Sequence, residues 1–352
     1  MARAPDIVQA TAATAPSEPA LWRVEGEATP VAAVAEWMAG NQEHIIAALH
    51  AHGALVIRGF TRLSTPRDFE TVISEVFPHL RGYVGGSSPR TQLEGRIMTA
   101  TETPPDWSIP LHQEMAYTAG GPHRIAFLCL EPAREGGLSL LGDMAIALDV
   151  IPAAVVTEFE SRKLRLRRVL PSRESAAAKA GIKKNWQEVF GTEDRKKVDA
   201  VAAERGWDCD WLDGVTLRLT QELMPATRKH PVTGRKVWHN QAHFFAPACM
   251  IDWAARDHRD TDEQELREVY AAQPGLVDNV VFGDGEPVPG EMALSVSDAL
   301  RSLERGVTLD RGDLLLIDNI LMAHGRSPFT GERRLLVALA DEPGWREHAG
   351  QS

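Results

Sequence analysis

Cysteine is scarce in this chain: only Cys129, Cys209 and Cys249 occur, and no two share a Cys-x-x-Cys spacing. An odd, scattered set of thiols argues against a disulfide framework and fits a reducing compartment, so a cytoplasmic location is expected. No run approaches eighteen uninterrupted apolar residues, and the first twenty residues hold no continuous apolar segment, so neither a membrane span nor a secretory leader is expected. Basic residues are in deficit, 38 against 49 acidic ones for a net charge of −11, which disfavours a general nucleic-acid binder. There is no internal repeat. What is present, 43% hydrophobic and 25% charged residues over 352 positions, is the composition of a folded globular protein, large enough for one extended core.

Residues 1–28 are rich in Ala, Thr, Pro and Ser and predict a flexible N-terminal arm, with one domain over residues 29–345. From residue 30 to 52, Val34, Trp37, Met38, Ile45, Ile46 and Leu49 recur at helical spacing, with Gly53 as the stop. Residues 54–60 predict a strand. Residues 65–77 predict a helix capped by Thr65, with Pro66 in the first turn and Phe69, Val72, Ile73 and Val76 as its apolar stripe. Short β-rich runs follow at 124–130, 138–141, 237–240, 312–317 and 334–338, separated by Gly and Pro. Charge-rich material within 142–230, such as 175–180 and 193–204, predicts a helical insertion between strands. The expected fold is mainly β with flanking helices, a barrel or sandwich carrying an excursion. Residues 161–197 hold twelve Lys or Arg against four Asp or Glu, a local net of +8 that leaves −19 on the rest. That stretch predicts either a solvated face or a docking face for an acidic partner such as a carrier protein.

The chemistry-bearing residues are histidines and acids. His112-Gln-Glu114 places an imidazole and a carboxylate two residues apart; in a strand both would project from one face. His324, just beyond the apolar run 314–317, is the candidate third donor. Two imidazoles and one carboxylate on one face of an octahedron leave three positions open, the arrangement of non-heme iron oxygenases. A histidine followed two places later by an acid arises about once or twice by chance in this composition, and the second instance, His258 and Asp260, falls in a polar run and reads as surface. His239 and His243 have the spacing of a zinc-protease helix, but Asn240 stands where that chemistry needs a general-base glutamate. A zinc-dependent hydrolase using that region is the alternative from another class; a silent, partner-binding barrel is a third. His50 and His52 read as structural or exposed. Pro328 and Gly331 predict a turn after His324, and Arg333 and Arg334 open the next strand, where alternation sends one of the two inward. An inward guanidinium near a metal suits a carboxylate.

Taken together, Gly85-Gly-Ser-Ser-Pro-Arg-Thr91, Leu111-His-Gln-Glu-Met-Ala-Tyr-Thr118, the Gly136-Gly-Leu-Ser139 turn, Val237-Trp-His-Asn-Gln-Ala-His243 and His324-Gly-Arg-Ser-Pro-Phe with Gly331-Glu-Arg-Arg resemble the TauD/TfdA family of iron(II)- and 2-oxoglutarate-dependent dioxygenases, in its SyrP-like branch. The resemblance spans about residues 50–340. It implies a double-stranded β-helix, or jelly roll. It implies His112, Glu114 and His324 as ligands of Fe(II), Arg333 on the distal carboxylate of 2-oxoglutarate with Arg334 as the alternative, and Ser139 touching the co-substrate. Glu114 stands where related halogenases carry a small residue, so hydroxylation is favoured over halogenation. The resemblance further implies an amino acid or amino-acid-derived substrate, free or carrier-bound, in specialised metabolism such as antibiotic biosynthesis, with desaturation, epoxidation or ring closure as variants of the same chemistry. A homo-oligomer is also in keeping with the family. Arg326, Asn240 and His243 are candidates for lining the pocket.

Overall fold

The computed structural model describes residues 6–11, 19–25, 29–83, 90–175, 185–342 and 344–345. Along the chain come strands β1 (Asp6–Thr11) and β2 (Ala20–Glu25), helices α1 (Val31–Gly40) and α2 (Gln42–His52), strand β3 (Ala54–Arg58) and helix α3 (Pro66–Ile73). Strands β4 (Ile109–His112), β5 (Arg124–Glu131) and β6 (Ser139–Asp143) precede the excursion. The excursion contributes β7 (Leu164–Leu170), β8 (Asp208–Leu212) and β9 (Thr216–Thr220), and β10 (Asn279–Phe282) follows beyond it. The chain then returns through β11 (Arg305–Val307), β12 (Leu314–Asp318), β13 (Met322–Arg326) and β14 (Arg334–Ala340).

The major sheet runs β1-β2-β3-β12-β5-β14, and a minor sheet of four strands runs β11-β6-β13-β4. Alternate residues of the major sheet enter two different cores. Leu55, Ile57, Ala126, Leu128, Leu314, Leu316, Leu336 and Ala338 pack with α1, α2 and α3. Their neighbours Val56, Ile125, Phe127, Cys129, Leu315, Ile317, Leu335 and Val337 pack with Leu141 of β6 and Met322 of β13, between the two sheets. This explains why the strands read as unbroken apolar runs: a strand covered on both faces has no polar face to show. The result is the expected jelly roll with flanking helices.

Helix α3 begins as its sequence predicts. Thr65 Oγ1 accepts from the Asp68 N–H at 3.1 Å, and the Asp68 carboxylate accepts from the Thr65 N–H at 3.0 Å, closing a capping box ahead of Pro66. The helical stretch before Gly53 is two helices that break at Asn41, and Gly53 ends the second in the left-handed conformation, φ 73°.

Two expectations are corrected. Residues 20–25, read as part of a mobile arm, form β2, which runs parallel to β3. Ala20, Trp22 and Val24 point into the helix-side core, where Trp22 meets Trp37 edge-on at 6.4 Å. The period of two at 20, 22 and 24 carries this strand, although its neighbourhood is rich in Ala and Pro. The excursion is likewise not simply helical. The expected helix near 193–204 is present as Arg195–Glu204, but β7 pairs β9 and β10, and β8 pairs β9, in a separate four-stranded sheet. In β7, Leu164 and Leu166 are buried while Arg165 and Arg167 are half-buried on the other face. Charge density there belongs to strand alternation, not to a helix. The rest of the stretch 175–180, beyond Ser175, lies outside the described residues.

Candidate active site

Strands β4 and β13 pair directly, His112 opposite His324, with imidazole centroids 4.4 Å apart. Glu114 reaches the same point by a different route from that expected. β4 ends at His112, and Gln113 and Glu114 lie in the turn that follows. The turn is forced by Met115, a buried non-glycine residue at φ 56°. It is pinned by the segment that leads into β13, the strand paired with β4: Asn319 Oδ1 accepts the Glu114 N–H at 2.8 Å, and Asn319 Nδ2 donates to the carbonyls of Glu114 at 3.0 Å and Pro122 at 2.8 Å. Gln113 Nε2 donates to the Ile320 carbonyl at 2.7 Å, and Gln241 Nε2 donates to the Gln113 carbonyl.

One donor atom from each of His112, Glu114 and His324 lies within 4.8 Å of the others, and all three residues are buried. His112 Nδ1 is 2.9 Å from the Pro110 carbonyl, which only accepts, so Nδ1 carries the proton and Nε2 keeps its lone pair. Nδ1 of His324 is buried with no partner. Burial is the first cause that lowers the pKa of both imidazoles, and for His324 the charges of His112 and Arg90 push the same way. Neutral imidazoles, an orphaned ring nitrogen and an adjacent carboxylate are the donor set that a divalent metal such as iron takes. Phe127 and Phe244, 5.7 Å and 5.0 Å from the two rings, give the cluster an apolar surround.

Of the two adjacent arginines, Arg334 faces solvent with 67% of its side chain exposed, 3.9 Å from Glu131. A register shift between Arg334 and Leu335 marks the edge of the pairing with β5. Arg333 turns inward, its Nε donating to the Gly137 carbonyl at 3.1 Å and its Nη2 to Ser139 Oγ at 3.4 Å. A Cβ on Gly137, which sits at φ 63°, would come within 3.0 Å of Arg333 Cδ, so glycine lets the arginine stem pass. Ser139 precedes by two residues Leu141, the partner of His324 on β6. The Arg333–Ser139 contact therefore lies about 7 Å along the sheet from the histidines. Arg333 also lines a cavity of about 120 Å³ with Cys129, Leu309 and Leu335.

Other candidates have structural partners. Arg326 donates to the carbonyls of Thr103, Pro104 and Trp107 at 3.1, 2.6 and 2.6 Å, so it clamps a loop. His243 Nε2 donates to the Leu111 carbonyl at 2.7 Å, and Asn240 bridges the Ala226 carbonyl and the Ala242 N–H. Burial pushes His239 down to about 3 and His243 down to about 4. Neither joins a group of three metal donors among the described residues. His50, His230 and Asp318 do form such a group. There, however, Arg124 pairs with Asp318, and His230 donates to Asp318 from Nε2 and accepts the Val232 and Thr233 N–H groups at Nδ1. That cluster is an internal brace.

Sequence reasoning missed Arg90, Asn319 and Gln241. Arg90 ends the Gly-Gly-Ser-Ser-Pro-Arg motif, of which residues 85–89 lie outside the described residues, and its guanidinium pairs with Glu114.

Comparison with known proteins shows the family. Residues 14–339 match the model of a family described as taurine catabolism dioxygenase TauD, TfdA family. The chain belongs to that family. It is thus a non-heme iron, 2-oxoglutarate-dependent dioxygenase acting with dioxygen on a small molecule. It is 32% identical over 296 residues, 83% of each chain, to dapdiamide synthesis protein DdaC of Enterobacter agglomerans. It is 31% identical over 307 residues, 85% of each chain, to a clavaminate synthase-like protein of Arabidopsis thaliana. Among solved structures, AAD-2 in complex with Mn(II) and N-oxalylglycine shares the fold at 12% identity and a TM-score of 0.52, over 96% of this dioxygenase and 98% of that chain. No helix among the described residues is long and apolar enough to cross a membrane.

Proposed function

We propose that His112, Glu114 and His324 hold the iron of this dioxygenase, that Arg333 and Ser139 receive the distal carboxylate of 2-oxoglutarate, and that the enzyme hydroxylates an unactivated C–H bond of an amino acid or amino-acid-derived substrate. The observation that carries the reading is the convergence of three buried donors within 4.8 Å, brought from positions far apart in sequence by the β4–β13 pairing. When bound, iron and 2-oxoglutarate supply the oxidising chemistry, coupling decarboxylation of the co-substrate to oxygen insertion. The chain's own contribution is positional. His112 presents Nε2 because Pro110 holds the proton on Nδ1. Asn319 fixes the backbone from which Glu114 projects. Arg333 sets the reach of a dicarboxylate from the metal site, and the phenyl rings of Phe127 and Phe244 keep water away from the imidazoles.

The substrate class draws on the likeness to a protein named for dapdiamide synthesis and to a clavaminate synthase-like protein, names that also suit a role in antibiotic biosynthesis. The basic stretch at 161–197 offers a carrier less than its count suggests. Arg162 pairs with Glu158 and Asp284, Arg165 with Asp208, and Arg173 with Glu193. Oxygen-dependent decarboxylation of 2-oxoglutarate with added Fe(II), in wild type and Glu114→Ala, tests the site. Loss in the variant is expected, and equal rates would refute the ligand set. Product masses from free and carrier-tethered amino acids then decide the substrate form, a gain of one oxygen being the expected change.

A further inference from the structure

Arg90 stands against Glu114 in the metal-donor cluster, its Nη2 on the carboxylate Oε2, with only 4% and 3% of the two side chains exposed. Its guanidinium lies over the Tyr83 ring, 4.7 Å from the centroid. A guanidinium offers five N–H donors, yet Nε and Nη1 of Arg90 are buried with no acceptor among the described residues. A buried, charged donor left without an acceptor is expensive, so this cation is set where an anion belongs.

The pair also bears on metal binding, on the ligand assignment made above. Without a metal, Arg90 is the counter-ion that makes a buried Glu114 carboxylate tolerable. Once a divalent ion takes the carboxylate, Arg90 loses its anion and faces a second positive charge inside an apolar surround. A planar carboxylate arriving at that moment restores the balance, because a guanidinium matches it geometrically.

We propose that Arg90 is passed from Glu114 to a carboxylate group of the substrate, so that metal and acidic substrate bind cooperatively at neighbouring points. This makes Arg90 a specificity-determining residue for substrates that present a carboxylate close to the metal.

The test needs no knowledge of the substrate. Co(II) is titrated calorimetrically into the full-length apoprotein with and without acetate, and into Arg90→Gln, Arg90→Lys, Arg333→Gln and His112→Ala, each checked by its melting curve. Linkage predicts that saturating acetate tightens Co(II) binding to the wild type by about fivefold or more. Arg90→Gln should bind Co(II) at least as tightly as acetate-loaded wild type and ignore acetate, and Arg90→Lys should keep a reduced acetate effect, which guards against a glutamine variant that fails to fold. The 2-oxoglutarate effect on Co(II) affinity should survive in Arg90→Gln and vanish in Arg333→Gln. An acetate effect that is absent in wild type or undiminished in Arg90→Gln overturns the proposal, as does a 2-oxoglutarate effect that needs Arg90 and not Arg333. Undiminished Co(II) binding by His112→Ala would instead refute the ligand set on which the proposal rests.

Discussion

Asn319 holds Glu114 by both ends of its peptide backbone, accepting its N–H at 2.8 Å and donating to its carbonyl at 3.0 Å. The two residues are 205 positions apart, and the contact joins the turn after β4 to the segment that leads into β13. It couples the position of the carboxylate to that of His324.

Asn319→Ala should therefore weaken metal binding by about 10–100-fold, the range for residues that orient metal ligands. Co(II) affinity measured beside thermal stability separates this from general unfolding. A variant that melts lower but binds Co(II) normally would show that Asn319 only stabilises the fold.

The two neighbouring arginines should differ sharply. Arg333→Gln is expected to raise the KM for 2-oxoglutarate by about 30-fold or more, since truncating one partner of a buried charge pair costs about 2–5 kcal/mol. Arg334→Gln, on the exposed side, should stay within about twofold, as rim charges contribute little. Steady-state kinetics at saturating oxygen decide it, and equal effects would place the co-substrate elsewhere.

Acid should destabilise the apoprotein through His239 and His243. Both are buried and neutral, pushed down to about 3 and about 4, whereas an unfolded histidine titrates near 6.5, so as pH falls protons go first to the unfolded chain. Their contribution is complete above pH ~6.5 and declines below it, by about 1.4 kcal/mol each at pH ~5.5. Urea unfolding at the two pH values should show this loss, and His243→Gln should remove about half of it. An identical slope in the variant would mean that His243 is not neutral in the fold.

Strand β2 gives a further test. Trp22→Ala should cost about 3–5 kcal/mol, the usual loss for a large aromatic cut from a core, because Trp22 is 9% exposed and packs against Trp37. A melting temperature unchanged from wild type would return residues 20–25 to the status of an arm.

What the sequence showed and hid follows from distance along the chain. The runs at 124–130 and 312–317 were legible because the residues 125–130 and 314–317 alternate between two cores, leaving a dense apolar signature. Thr65 was legible as a cap because a helix start is read within a few residues of the chain. β7 was obscured by its arginines, whose alternation with Leu164 and Leu166 is a strand signal inside a charge-rich segment. His112, Glu114 and His324 stood out by chemistry. The turn that delivers Glu114 did not, since it depends on Met115 in a conformation rare for its type and on Asn319, 205 positions away in the sequence. Arg90 could be quoted in a motif, but only its contact with Glu114 gives it a role.

The pairing of His112 with His324 across β4 and β13 also guards against misfolding. Side chains alternate between the faces of a sheet, so sliding β13 by one residue would swing His324 to the opposite face and dismantle the donor cluster at a stroke. Only the properly aligned strands can close on an ion, and a metal-loaded population is by that fact a population with its strands correctly threaded.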